Sequence, residues 1–176
     1  MSEDKRVKHS KERITKAMVV CLESTSLDKI TVKQICDTAD VNRSTFYAHY
    51  QNPMELYKTL EQSMTDGLNR HFRELKKQTI TYKEFLRHSL EFCYENSDLF
   101  LALYYTDSIS LKKSFIALIS SYDFYSDTVP EDEKRYTITF YFSGTFSVIA
   151  RWLRKDREKS IDDMVNLIYR LANRQR

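Results

Sequence analysis

"ITVKQICDTADVNRSTFYAHYQNPMEL", Ile30 to Leu56, carries two helix starts and one forced turn within a few turns of chain. Thr31 followed three residues later by Gln34 is a capping box, in which each side chain serves the other's backbone amide. Val32, Ile35, Cys36 and Ala39 then supply the inner face of a short helix at helical spacing. Asp40 follows where the chain must turn sharply, and Asp tolerates a left-handed backbone better than most residues. Asn42 is a strong N-cap, so a third short helix is expected from Arg43 to His49. On it Phe46 and Tyr50, four apart, face inward with Val41 nearby. Arg43, Ser44, Tyr47 and Ala48 take the other faces, with Thr45 and His49 at their margins. Two short helices joined by a tight turn, the second with polar and ring-bearing outer positions, make a helix-turn-helix. That motif lays its second helix in the DNA major groove.

Outward from this stretch the chain reads as helices throughout. Upstream, Ile14, Ala17, Met18 and Cys21/Leu22 form an apolar stripe on a helix expected over Ser10–Glu23, and the segment Ser24–Ile30 breaks it. Downstream, Asn52–Pro53 is an N-cap and first-turn pair. It opens a long helix toward Lys77 with Leu56, Leu60, Met64, Leu68, Phe72 and Leu75 on one face. Further helices are expected over Tyr82–Glu95, Asp98–Tyr105, Ser110–Tyr125, Glu131–Lys155 and Ile161–Asn173, with caps at Thr81/Glu84, Ser97 and Ser160/Asp163. Only two Gly and two Pro in 176 residues agree, because sheet proteins use those residues often in turns. The expected fold is therefore all-α. Its domains are a helix-turn-helix unit over 1–52, a connecting helix over 53–77, and a helical regulatory and dimerisation domain over 78–176.

The net charge of +3 says little alone. Its distribution says more: Lys5, Arg6, Lys8, Lys11, Arg13 and Lys16 outnumber Glu3, Asp4 and Glu12 at the N-terminus. That segment offers nonspecific affinity for an anionic partner, or behaves as an ordinary solvated tail. No apolar signal core and no run near the ~20 residues of a membrane span is visible, which favours a cytoplasmic protein without membrane contact. Cys21, Cys36 and Cys93 are odd in number and widely spaced, as reduced thiols usually are; Cys21 and Cys36 fall on apolar helix faces. His9, His49, His71 and His88 are scattered along the chain, so no metal site and no cofactor is expected. No phosphate-cradling glycine loop or nucleophile motif supports an enzyme.

The run Ile30 to Leu56 resembles the TetR family of bacterial transcription regulators, whose pattern is Thr, then Ile-Ala-x-x-Ala-Gly-Val, then a Thr-Phe-Tyr-x-His-Phe recognition helix. Weaker similarity continues in "YFSGTFSVIARWLRKDREKSIDDMVNLI", Tyr141 to Ile168. There are departures. Asp40 replaces the family's turn Gly, Ser44 stands where Gly is common, and Pro53 stands where many members place a phosphate-binding Lys. Gln51 or Asn52 would take over part of that last contact.

The resemblance implies a homodimer on a palindromic stretch of double-stranded DNA, a repressor by family habit, and a small-molecule effector of unknown identity. Effector binding would move the long fourth helix and change the spacing of the two reading heads. The expected DNA-binding residues are Thr31, Lys33, Arg43, Ser44, Thr45, Tyr47, Ala48 and His49. Arg43 suits guanine O6 and N7. Tyr47 suits a phosphate oxygen or a thymine methyl. Thr45 and His49 sit at phosphate-contacting positions, and such contacts set register without carrying sequence information. Lys33 and Thr31 would meet phosphate at the start of the second helix, where the dipole adds positive charge. Ser44 and Ala48 are small groups that allow close approach. The alternatives are a solvated surface residue for Arg43 and Lys33, partial core packing for Tyr47 and a plain helix-end residue for His49.

A dimer needs a second surface. Helix Glu131–Lys155 is apolar on more than one face, and Gly144 costs roughly 1 kcal/mol there unless another helix approaches it. The expected interface is Tyr141, Gly144, Thr145, Val148 and Trp152 with Met164, Leu167, Ile168 and Leu171; the alternative is a purely intrachain core. The many rings between Tyr82 and Phe142 fit either a ligand pocket with tyrosine handles or a core. A rival reading is a helical adaptor or activator governed by a protein partner rather than a small molecule.

Overall fold

The computed structural model describes residues 2–73, 75, 78–122, 124 and 129–173. Those residues form nine α-helices and no strand. They are α1 (Ser2–Ser24), α2 (Val32–Ala39), α3 (Arg43–Tyr47), α4 (Pro53–Arg73), α5 (Tyr82–Glu95), α6 (Ser97–Thr106), α7 (Ser108–Ile119), α8 (Glu131–Lys155) and α9 (Ile161–Asn173). No helix among the described residues is long and apolar enough to cross a membrane. The chain divides into two compact units, Met1–Met64 and Thr65–Arg176, with the division inside α4.

Local chemistry sets the helix ends. Capping boxes form at Thr31/Gln34 and Thr81/Glu84. Ser160 and Asp163 exchange equivalent bonds before α9. Five ends differ from expectation by two residues or more, or in their cap. α1 starts at Ser2 rather than Ser10, so much of the basic N-terminus is helix. α3 stops at Tyr47 because the chain tightens into a three-residue bond, His49 N to Phe46 O at 2.9 Å. α6 takes Asn96 as its cap position, with no side-chain capping bond. The Ser97 hydroxyl instead accepts a bond from Arg157 at 2.8 Å. α7 begins at Ser108 because Asp107 caps it, its carboxylate accepting from the Ile109 amide at 3.0 Å. α7 also stops at Ile119, with Ser120 as its C-cap, short of the expected Tyr125. The expected end at Lys77 lies outside the described residues.

In the first unit Ile14, Ala17, Met18 and Cys21 of α1 meet Ile35, Cys36 and Ala39 of α2, with Phe46, Tyr50, Leu56 and Leu60 completing the buried set. In the second unit Phe85, Phe92, Phe100, Phe115 and Phe142 of the aromatic stretch are core, whereas Tyr94, Tyr105, Tyr136 and Phe140 are exposed. Phe115 and Phe146 stand 5.0 Å apart, and Phe100 and Phe146 5.1 Å, in edge-on contacts favoured by ring quadrupoles. A second group joins Phe72, Phe85, Tyr122 and Phe124 at 5.1–5.4 Å. Cys93 is fully buried, and burial pushes its thiol far above the ordinary range, so no reactive thiolate forms there.

α4 and α5 pass antiparallel in this unit: Gly67 meets Phe92, His71 lies against His88, and Phe72 against Phe85. The Phe92 ring edge lies 3.3 Å from where a Cβ on residue 67 would sit, so glycine is what admits the ring. This crossing brings His71 and His88 together with Glu91, which corrects the expectation that the histidines are scattered. Residues far apart in the chain became neighbours through helix pairing, which spacing alone does not encode.

Candidate nucleic-acid interface

The second short helix is held from below and from its N-terminus. Phe46 is wholly buried and Tyr50 nearly so, 5.9 Å apart between ring centres. At the entry, the Asn42 side-chain oxygen Oδ1 accepts three bonds: the Thr45 amide at 2.8 Å, the Thr45 hydroxyl at 2.7 Å and the Ser44 hydroxyl at 2.7 Å. The two hydroxyls therefore turn their lone pairs outward. They present acceptors suited to base amino groups, whereas donating to a phosphate requires leaving the cap. Sequence reading found the cap but not this consequence.

The turn before α3 is fixed by its backbone and by α1. Asp40 has φ 50° and ψ 54°, the left-handed conformation expected for it. Arg13 reaches across from α1 and donates to the Asp40 carbonyl at 2.6 Å and to its carboxylate at 2.8 Å. A second tie joins Ser10 to His49, with 2.8 Å between hydroxyl and Nε2. Ser10 also donates its one proton to the Val7 carbonyl at 2.9 Å, so His49 is the donor to Ser10. His49 thus has Nε2 engaged within the chain and only Nδ1 left for an outside partner. Both ties were missed in the sequence, because Ser10 and Arg13 carry no motif and their partners lie 39 and 27 residues away.

The expected contact residues are all accessible. Thr31, Lys33, Arg43, Ser44, Tyr47 and Ala48 are exposed, and Thr45 and His49 half-buried. Tyr47 stands 58% exposed, its ring edge-on to Phe46 at 5.6 Å. Ser44, Thr45, Ala48 and His49 share one open cleft of ≈ 750 Å³ with Arg6, His9, Ser10 and Arg13 of α1. The cleft wall is therefore basic on the α1 side. At the start of α2 the Thr31 hydroxyl and amide are both engaged with Gln34, at 3.1 and 2.9 Å. A phosphate there would meet the amides of Val32 and Lys33, which have no intrahelical acceptor.

The expected dimer surface separates into two parts. Trp152 is 1% exposed; its indole N–H donates to the Lys159 carbonyl at 3.0 Å, and its ring stacks on Tyr94. It closes the α8–α9 connection and belongs to the core, as does Met164 at 3% exposed. Both are packed within the single chain and, unlike Ile168, lie away from the open groove between α8 and α9. Leu167 is half-buried. Tyr141, Gly144, Thr145, Val148, Ile168 and Leu171 line a groove of ≈ 680 Å³ between α8 and α9, with Ile168 at 2% exposure forming its floor. Phe140 on its rim is 68% exposed and Leu171 45%. A Cβ on residue 144 would touch nothing within 4 Å among the described residues, so no contact among them explains that glycine.

Comparison with known proteins adds to this geometry. A family model described as "Transcriptional regulator C-terminal region", of the TetR class, matches residues 80–174. Among solved structures, the TetR transcriptional regulator from Streptococcus agalactiae 2603V matches at 23% identity over 98% of each chain, with a TM-score of 0.64. The fatty acid degradation regulator FadR from Bacillus halodurans matches at 12% identity over 93% of this chain and 94% of that one, with a TM-score of 0.70. FadR from Thermus thermophilus, a TetR-family repressor solved with lauroyl-CoA, matches at 18% identity over 92% of each chain, with a TM-score of 0.56. At these identities the likeness is one of fold. No curated protein matches the sequence.

Proposed function

The chain belongs to the TetR family of transcriptional regulators, and from that premise we propose that it binds a palindromic operator as a homodimer and represses transcription until an effector releases it. The observation that carries the DNA reading is the seating of α3: Phe46 and Tyr50 are buried while Arg43, Ser44, Tyr47 and Ala48 stand free in solvent. Arg43 reads a base edge, Tyr47 takes a phosphate or a thymine methyl, and Lys33 and the α2 amides hold phosphate. Ser44 accepts from a base amino group.

One such helix reads only a few base pairs, so two copies are needed. The α8–α9 groove supplies the meeting face, with Phe140 and Leu171 as exposed apolar anchors and Gly144 admitting the partner's helix. Selecting bound fragments from genomic DNA tests the operator claim. The reading predicts protected half-sites of dyad symmetry, one helical turn or a multiple apart. Recovery of fragments without dyad symmetry would overturn it.

We assign the effector site to the cleft of ≈ 430 Å³ between α7 and α8, lined by Ile116, Ser121, Tyr122, Arg135, Ile138 and Thr139. Tyr122 lines the cleft, and its hydroxyl is buried without a hydrogen-bond partner among the described residues, so it would turn toward the cleft to meet an effector. Burial also holds its phenol above the ordinary range, so it remains a donor. An effector with an apolar body and an acceptor end fits this combination, and the volume lies within the usual range for small-molecule sites, roughly 300–1,000 Å³.

A further inference from the structure

The antiparallel crossing of α4 and α5 gathers a second kind of chemistry that the DNA-binding reading does not use. His71 on α4 and His88 and Glu91 on α5 each offer one ligand atom, and the three lie within 4.8 Å of one another. His88 and Glu91 are three apart, hence on one helix face, with Nδ1 to Oε2 at 3.1 Å. His71 comes from the opposite helix, its ring 5.9 Å from that of His88 and 5.5 Å from Phe92. Its Nε2 is buried and has no hydrogen-bond partner among the described residues. Buried ring nitrogens usually find a partner, so this one is open to a ligand.

We propose that His71, His88 and Glu91 bind a divalent transition-metal ion of the zinc type, clasping the C-terminal part of α4 to α5. Two imidazoles and one carboxylate are a donor set that zinc accepts with a further position open to water. Imidazole favours zinc, copper, nickel and iron, whereas magnesium and calcium require oxygen ligands. Around zinc, bonds of about 2.0–2.1 Å place tetrahedral ligand atoms roughly 3.4 Å apart. The Glu91–His88 pair already stands near that separation. The remaining closure, from within 4.8 Å, is at most about 1.4 Å, within reach of rotamer adjustment by side chains that are each half-buried. The site lies inside the second unit and is independent of the dimer groove and of the α7–α8 cleft.

Calorimetric titration of the untagged full-length protein with zinc chloride tests the assignment, with cobalt chloride as a spectroscopic probe. One ion per chain should bind, thermal unfolding should move to higher temperature with zinc, and cobalt should give visible absorption bands of low coordination number. His88→Gln and Glu91→Gln, at half-exposed positions, should retain their circular dichroism and lose affinity by more than about 10-fold, at least what changing an outer partner of a metal ligand costs. His71→Phe keeps a ring against Phe92 and should lose binding likewise. Zinc binding unchanged in His88→Gln and Glu91→Gln would place the ion elsewhere and overturn the proposal. So would absence of zinc binding, or displacement of zinc by equimolar magnesium.

Discussion

Asp40 shows how much a single residue decides in this motif. Its left-handed backbone is costly for any residue with a Cβ, by roughly 1–2 kcal/mol, and the Arg13 guanidinium offsets part of that cost across an exposed ion pair. Exposed pairs contribute about 0.2–1 kcal/mol, so the two effects can be separated. Asp40→Gly removes strain and pair together and should be neutral or stabilising by up to ~1 kcal/mol. Asp40→Ala keeps the strain and loses the pair, and should be destabilised by ~1 kcal/mol. Urea unfolding orders the three; Ala at least as stable as Gly would contradict this account of the turn.

At the scale of elements, the caps carry most of what was readable in advance. Thr31, Asn42, Thr81 and Ser160 each form the bond that their sequence context predicts. Tertiary ties were not readable: Arg13 to Asp40, Ser10 to His49 and the meeting of His71 with His88 join residues whose spacing carries no period. The burial of Trp152 was not readable for a related reason. A helix such as α8, with apolar residues all round, gives no sign of which stripe its own chain covers first.

The charged caps also predict a response to acid. Hydrogen bonds from Thr81 hold the Glu84 carboxyl below its ordinary 4.5, and bonds from Ser160 hold that of Asp163 below 3.8. A depressed folded value means the stabilisation is complete above the ordinary value and is lost as pH falls through the lowered one. Glu84→Gln keeps the reach to Thr81 without a titrating group. Its melting temperature should therefore fall less than the parent's as pH drops below 4.5. Parallel curves would remove the Thr81–Glu84 bonds from the acid response.

For the molecule as a whole, the proposed function rests on two faces of opposite character: a polar one on α2 and α3, and an apolar one on α8 and α9. Leu171→Glu places a charge on the groove wall and should raise the dimer dissociation constant by 10-fold or more, as for a truncated interface anchor worth at least ~1.4 kcal/mol. Gly144→Ala should raise helix propensity by up to ~1 kcal/mol, since nothing among the described residues meets its Cβ. It should nonetheless weaken association if the partner's backbone approaches there. Sedimentation velocity reads both, and unchanged dimers in both variants would move the interface elsewhere.

The most direct test is fluorescence anisotropy of a selected operator duplex titrated with the parent, Arg43→Ala and Lys33→Ala across a salt series. Arg43→Ala should lose about 1–3 kcal/mol of discrimination at one base position per half-site. Lys33→Ala should weaken every duplex alike and lower the salt slope by about 1 for each phosphate it leaves without a counter-charge. Variants that bind all duplexes as the parent does, at every salt concentration, would contradict the reading face.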